Sequence, residues 1–191
     1  MKRWLPALLI VALLVVFRIL GGLFPTTLPN LQPLPALLLC GIVFLKGAQR
    51  WLLPLIAWVV TYPVTSMAQG YPILGWDLAS VLLGVATTAG IALWTRRHPT
   101  TLPVLASSVV AALVFYFVTN LVSFAVNPLL YPRTAEGFMQ SQWTGPVGGI
   151  PTWIFLRNLL AANVLFTALF LFSRRSLPQA SSAPAQAVVV R

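Results

Sequence analysis

Residues 119–163 read TNLVSFAVNPLLYPRTAEGFMQSQWTGPVGGIPTWIFLRNLLAAN, and this stretch decides how the chain is organised. It leaves the polar end of one apolar segment, crosses a long loop and a turn rich in Gly and Pro, and enters a second apolar segment at Trp153. That second segment contains Arg157, Asn158 and Asn163. Polar and ionisable side chains are expensive inside a membrane, so each of them needs a functional or structural reason.

The composition excludes a soluble globular domain. The 191 residues are 59% hydrophobic and 7% charged, whereas soluble domains carry about 25% charged residues. So few charges cannot cover a surface that faces water. We therefore predict one all-α, polytopic membrane domain over residues 1–175, followed by a disordered cytoplasmic tail over residues 176–191.

Six apolar runs predict six transmembrane helices of about 20 residues each. They are Leu5–Leu23, Leu34–Leu45, Trp51–Met67, Leu78–Trp94, Leu102–Val126 and Trp153–Phe172. The first run is too long for a signal peptide, so we interpret it as a membrane helix. The second is short for a full crossing, and the distribution of charge between the runs supports the count of six.

The net charge of +10 would suit nucleic acid, but the positions of the charges predict a membrane protein. One set of alternate connections and termini contains Lys2, Arg3, Lys46, Arg50, Arg96, Arg97, Arg174, Arg175 and Arg191. The other set of connections contains a single basic residue, Arg133. Because Lys/Arg bias in short loops sets orientation, we predict cytoplasmic N and C termini in the cell inner membrane. The surroundings would be the lipid bilayer, and no nucleic acid would bind.

Polar residues within the predicted spans concentrate in their outer halves. They are Arg18, Asp77, Asn120, Arg157, Asn158 and Asn163. The inner halves are nearly all apolar, apart from small Ser and Thr. This asymmetry predicts a cavity open to the outside, because a channel would carry polar groups along its full length. Connections on the same side add Asn30, Tyr131 and Arg133 to the predicted ligand-binding set.

Two of the predicted helices carry small or hydroxylated side chains on one face, which would let them approach closely. In the fourth span these are Asp77, Ser80, Gly84, Thr87 and Thr88. In the fifth they are Ser108, Ala112, Tyr116 and Asn120. The fifth connection is long enough to cover a site. Within it, Thr134 is predicted to cap a short helix from Ala135 to about Trp143.

Each polar residue has a proposed role in the predicted site. Arg157, Asn158 and Asn120 would line the pocket, Arg133 and Tyr131 would cover it, and Asp77 would orient a basic neighbour. Arginines favour planar oxyanions, so the ligand would be a small molecule with an anionic group. A structural alternative stays open for each residue. The arginines would extend to the lipid headgroups, and Asp77 would cap the fourth helix. The asparagines would bond neighbouring helices, and Tyr131 would anchor the chain at the membrane interface.

The sequence contains no recognisable catalytic set. His98, the single histidine, lies beside Arg96 and Arg97, and no histidine is available to activate a serine on the opposite side. One His, one Cys and two separated carboxylates cannot form a usual metal site. Cys40 lies in an apolar run and is predicted to be a buried thiol. We therefore predict no enzyme activity, no cofactor and no metal.

Four motifs carry a resemblance that covers nearly the whole chain except the tail. They are Pro29-Asn-Leu-Gln-Pro-Leu-Pro-Ala36, Phe117-Val-Thr-Asn120, Tyr131-Pro-Arg-Thr134 and Arg157-Asn158 with the following Asn163-Val-Leu-Phe-Thr-Ala-Leu. On these motifs the chain resembles a family of uncharacterised bacterial six-helix membrane proteins. Where that family often has Gly-Asp, this chain has Ala162-Asn163.

The layout is also similar to the S component of energy-coupling factor (ECF) vitamin transporters. This likeness implies six helices, cytoplasmic termini and a ligand pocket near the outer face. It also implies an energising ATPase and a coupling membrane subunit as partners. S components commonly dock that subunit through Ala-x-x-x-Ala in the first helix, whereas Ala7 and Ala12 here are five apart.

These observations lead to two hypotheses about function. The first is a membrane substrate-capture subunit for uptake of a small anionic molecule. The second is a non-transporting membrane subunit whose outer loop docks a partner protein.

Overall fold

Most of the described residues are helical. This is expected for apolar segments in a membrane, because their backbone amides have no water to bond and must bond within a helix. The computed structural model describes residues 8, 11–17, 21, 24, 27–68 and 74–176. Residues 11–17 form the described part of α1. The other helices are α2 Leu34–Phe44, α3 Gln49–Ala68, α4 Trp76–Thr95, α5 Thr101–Val126, α6 Ala135–Gln142 and α7 Thr152–Ser176. Since the described ranges contain no β-strand, the predicted all-α class is confirmed there.

Three helices are long and apolar enough to cross a membrane. They are α4, α5 and the part of α7 from Thr152 to Arg174. Each begins one or two residues before its predicted start. These helices indicate a membrane protein and account for three of the six predicted spans. Most of the predicted first span, Leu5–Leu23, lies outside the described residues, as does the predicted tail beyond Ser176.

α2 lies at the centre of the helix bundle. It has 11 residues, fewer than a full crossing needs. All residues from Leu34 to Val43 are buried, and α3, α4, α5 and α7 pack against it. A helix that is apolar all round is typical of a bundle centre. Cys40 is completely buried within it, as predicted.

The two ends of the bundle differ in charge. One core cluster joins the C-terminal halves of α2, α4 and α7 to the N-terminal part of α5, through Ile42, Ala92, Leu171 and Val104. These helix ends therefore lie together. They carry Lys46, Arg50, Arg96, Arg97 and Arg174, and we call this the basic end. The opposite end contains residues 27–33 and 127–151 together with both acidic residues of the chain, Asp77 and Glu136, and we call it the loop end.

The small-residue face of α4 packs against α5, as its spacing predicts. Ser80, Gly84 and Thr88 are buried along this face. A Cβ on Gly84 would lie 2.6 Å from the ring of Phe115, so the close approach requires glycine. Farther along, Thr95 Oγ1 and Ser107 Oγ are joined by a 2.7 Å hydrogen bond between the two helices.

Candidate functional site

Asn163 joins α7 to the start of α2. Its Oδ1 accepts a 2.6 Å hydrogen bond from the backbone N–H of Ala36. Pro33, the N-cap residue of α2, offers no side-chain cap, and Pro35 has no N–H to donate. Asn163 therefore caps α2 from another helix, which satisfies an amide that would otherwise be orphaned in the core. Its Nδ2 donates to Leu159 O at 2.7 Å.

Asn158 holds the first loop against α7. Its Nδ2 donates to the carbonyl of Pro29 at 2.8 Å, and its side chain is buried. This loop also contains Asn30, which has a φ of +58° and accepts a hydrogen bond from Gln32 Nε2. Asn tolerates this left-handed conformation better than most residues. Both Asn158 and Asn163 thus make hydrogen bonds within the chain, which is the structural alternative that the sequence left open for the asparagines.

A seam of hydroxyl groups continues the polar contact between α5 and α7. Ser108 Oγ donates to the backbone carbonyl of Asn163 at 3.1 Å. Thr167 Oγ1 donates to Ser108 Oγ at 3.0 Å. All three residues are completely buried. Among the described residues, Thr152 Oγ1 is the one buried side-chain polar atom without a hydrogen-bond partner, so the rest of this network is satisfied within the protein.

Arg157 differs from its polar neighbours because it is exposed at the loop end. Its Nε donates to Asn158 Oδ1 at 3.1 Å, and its guanidinium carbon lies 5.6 Å from the centre of the Trp153 ring. These contacts orient the guanidinium through one hydrogen bond and one cation–π contact. In the described part of the chain no carboxylate pairs with Arg157, and its two terminal nitrogens bond no other group.

The predicted cover residues are tied to α5. Arg133 Nη2 donates to the carbonyl of Ala125 at 3.3 Å, near the C-terminal end of α5, where a cation is favourable. Tyr131 is buried. Asn120 Nδ2 donates to Tyr116 O on its own helix at 3.1 Å. The Tyr116 hydroxyl in turn donates to the carbonyl of Gln142, at the end of α6.

The helix within the fifth connection forms where the sequence predicts it. α6 covers Ala135–Gln142, and Thr134 Oγ1 accepts a 3.1 Å hydrogen bond from Gly137 N. Phe138 packs edge-on against Phe117 and Phe124 of α5. Met139 of α6 and Trp143, which follows this helix, remain exposed. The apolar side chains of this segment are therefore only partly buried against the protein.

Two predicted ligand-binding residues remain, Asp77 and Arg18. Asp77 is exposed in the first turn of α4, where its charge suits the helix dipole. Arg18 lies outside the described residues. Two hollows of the described structure are both lined by Trp94, Ser107 and Val110 and lie at the basic end. They include none of the predicted ligand-binding residues. The described residues also contain no group of His, Cys, Asp and Glu suited to a metal ion.

Sequence reasoning missed several partners in this network. It did not anticipate the carbonyl of Pro29, the amide of Ala36 or the ring of Trp153. One signal was present for Ala36, because a helix that begins between two prolines leaves a backbone donor that needs an outside acceptor. A signal was also present for Trp153, because it lies four residues before Arg157 on α7 and this spacing places both on one helix face. The contact with Pro29 depends on which segments the fold brings together.

Comparison with known protein families matches residues 1–185 to a family of unknown function, DUF6580. The chain belongs to the DUF6580 family. This match confirms the resemblance to an uncharacterised family over nearly the whole chain. No curated protein and no solved structure matches this DUF6580 chain, so its likeness to ECF S components is treated below as a proposal.

Proposed function

We propose that this chain is a membrane subunit that captures a small molecule with an anionic group at its loop end, in the manner of an ECF S component. The observation that carries the proposal is the arrangement of Arg157. Its guanidinium is oriented by Asn158 and Trp153, yet no carboxylate among the described residues neutralises it. A carboxylate or phosphate group of a ligand would complete this arrangement.

The chemistry of arginine supports an oxyanion. A planar guanidinium can offer two parallel N–H donors to a carboxylate or phosphate, and such charge-assisted pairs are strong. Orientation of the side chain before binding reduces the entropy lost when a ligand is held. Asn158 connects this group to the first loop through Pro29, so binding at Arg157 would act on that loop.

The membrane topology is part of the same proposal. Six helices would cross the inner membrane with both termini in the cytoplasm, so that the basic end faces the cytoplasm and the loop end faces outward. Clustering of Lys46, Arg96 and Arg97 at one end supports this orientation. A separate ATPase with a coupling membrane subunit would supply energy. The chain itself would have no enzyme activity and no cofactor.

Ligand-induced thermal stabilisation of the purified protein tests capture. The panel contains small carboxylates, inorganic phosphate and anionic vitamins, each with a neutral amide or cationic amine analogue. We expect at least one anion to raise Tm, Arg157→Gln to abolish the shift and Arg157→Lys to weaken it. Arg97→Gln at the basic end is the matched control and should keep the shift. Stabilisation by cations alone, or an anion effect that survives Arg157→Gln, would overturn the proposal.

A docking function is the second candidate, and the exposed apolar residues of the fifth connection favour it. Leu129 is 100% exposed and Val147 is 97% exposed, and Met139 and Trp143 are also largely exposed. Exposed apolar patches of this kind mark contacts with proteins or membranes. Co-purification of a stoichiometric protein partner without added ligand, lost on Leu129→Ser with Val147→Ser, would favour docking over capture.

A further inference from the structure

An apolar groove lies between α4 and α5 on the surface of the helix bundle, at the basic end. Two adjoining hollows of about 320 and 410 Å³ form it, and they share Trp94, Ser107 and Val110. Gly90 and Ile91 line one hollow, while Leu102, Pro103 and Ala106 line the other. Because α4 and α5 are both candidate membrane spans, the groove faces the hydrocarbon side of the protein.

The groove exists because small residues meet along this part of the helix pair. A Cβ built on Gly90 would contact nothing within 4 Å. Ser107 is buried, and its hydrogen bond to Thr95 turns its hydroxyl into the helix interface. Trp94 and Leu102 are exposed large side chains that form the walls at the basic end of the groove. A long, narrow apolar ligand would fill this space.

Two basic residues follow the groove closely in sequence. Arg96 and Arg97 follow the end of α4, directly after Thr95 and close in sequence to Trp94, and both are exposed. The only acidic residues of the chain, Asp77 and Glu136, belong to the loop end. No acidic side chain of this protein is therefore available at the basic end to neutralise the two arginines, and a bound anion would do so.

We propose that this groove is a binding site for an anionic phospholipid, with one acyl chain along Gly90, Ala106 and Val110 and the phosphate group at Arg96 and Arg97. The apolar groove is followed by the two arginines, just as the acyl chain of a phospholipid is followed by its charged headgroup. Basic residues at the cytoplasmic ends of membrane helices attract anionic headgroups in the same way. The site is distinct from the one proposed around Arg157.

Charge also disfavours a second copy of the chain in this groove. A symmetric dimer would bring two identical surfaces together, so each copy would add its own Arg96 and Arg97 to the interface. Like charges at close range repel, and neither copy has an acidic side chain at this end to offset them. An anionic lipid satisfies the apolar and the electrostatic requirement at once.

Two variants separate the contributions of the tail and the headgroup. A Cβ at position 90 meets no atom within 4 Å, and leucine favours a helix over glycine, so Gly90→Leu should occupy the open space and still fold. Arg96→Gln with Arg97→Gln removes the charges and leaves the groove open. Ala168→Leu, on an exposed position of α7, is the control for added volume, and Arg133→Gln at the loop end is the control for lost charge.

The test measures retention of phosphatidylglycerol and phosphatidylcholine with identical chains by native mass spectrometry of the full chain, together with the lipid-dependent rise in Tm. Each basic residue near a headgroup is worth about fivefold, so the wild type should prefer phosphatidylglycerol by about 30-fold. Gly90→Leu and the double glutamine variant should each lose this preference, while both controls keep it. Any stabilisation by inorganic phosphate should be the same in the wild type and in the double glutamine variant, since phosphate lacks the acyl chain that fills the groove.

Three outcomes would overturn the proposal. One is equal retention of the two lipids by the wild type. Another is an unchanged preference for phosphatidylglycerol in Gly90→Leu, which would mean that charge alone attracts the headgroup. The third is a wild-type dimer that Gly90→Leu converts to a monomer without any change in lipid preference, which would assign the groove to a second copy.

Discussion

Asn163 Oδ1 accepts a hydrogen bond from the backbone N–H of Ala36 at 2.6 Å, across 127 positions of sequence. This contact lets α2 begin inside the bundle, where water cannot satisfy its first amides. The same asparagine was predicted to be a ligand-binding residue. Its buried position and its hydrogen bonds within the protein make it a structural anchor. Asn158 and Arg157 lie nearer the loop end of the same helix.

Replacement of Asn163 by alanine should strongly destabilise the protein. The change leaves the buried Ala36 amide without an acceptor, which costs about 1–3 kcal/mol, and opens a small cavity in addition. Asn120→Ala is the matched control, because Asn120 is half-buried and bonds only its own helix. This variant should lower the free energy of unfolding by less than about 1 kcal/mol. Thermal unfolding in one detergent measures both. Equal losses would show that Asn163 does not cap α2.

Gly84→Ala should weaken the packing of α4 on α5. The added Cβ would lie 2.6 Å from Phe115, and overpacking of this kind costs about 1–3 kcal/mol. Gly90→Ala, six residues farther along the same helix, meets open space and should be neutral or slightly stabilising. Phe115→Leu should partly rescue Gly84→Ala in a double-mutant cycle of Tm values. Additive effects of the two changes would contradict this packing.

Thr134→Ala should loosen α6 alone. It removes the acceptor for Gly137 N, and loss of such a cap costs about 1 kcal/mol. Hydrogen–deuterium exchange should therefore accelerate over residues 135–142 and stay unchanged in α5 and α7. Thr100→Ala is the control, because Thr100 precedes α5 without a side-chain cap hydrogen bond. Faster exchange spread over the whole chain would show that the cap acts globally.

The proposed orientation predicts which end of the bundle impermeant reagents can reach. The native Cys40 is completely buried and should give little background. A cysteine in Arg133→Cys should react with an impermeant maleimide in intact cells, and one in Arg97→Cys only after permeabilisation, because basic loops stay in the cytoplasm. Labelling of position 97 in intact cells would reverse the orientation and the assignment of the loop end to the outside.

Much of the secondary structure follows from local patterns. Apolar runs located α4, α5 and α7 because every backbone group in such a run must bond within its own helix. Thr134 located α6 because a hydroxyl before a helix accepts from its first turn. The spacing of Ser80, Gly84 and Thr88 identified the packed face of α4 because residues four apart share a side.

The function of each polar residue could not be read in the same way. The residue type of Asn158 or Asn163 states which hydrogen bonds it can make, but the partners that it anchors come from distant segments. Only the packed bundle decided that the asparagines bind the first loop and the start of α2. Trp153 and Arg157 lie four residues apart on α7, so helix geometry alone already brings them together.

The sequence by itself determined that the chain is helical, suited to a membrane and asymmetric in its polar residues, because hydrophobicity and helix periodicity act over a few neighbouring residues. Tertiary structure alone decided that the short apolar segment Leu34–Phe44 is the buried centre of the bundle and that a groove opens beside Gly90. Both depend on how separate helices pack against one another, and the local sequence pattern carries no information about that packing.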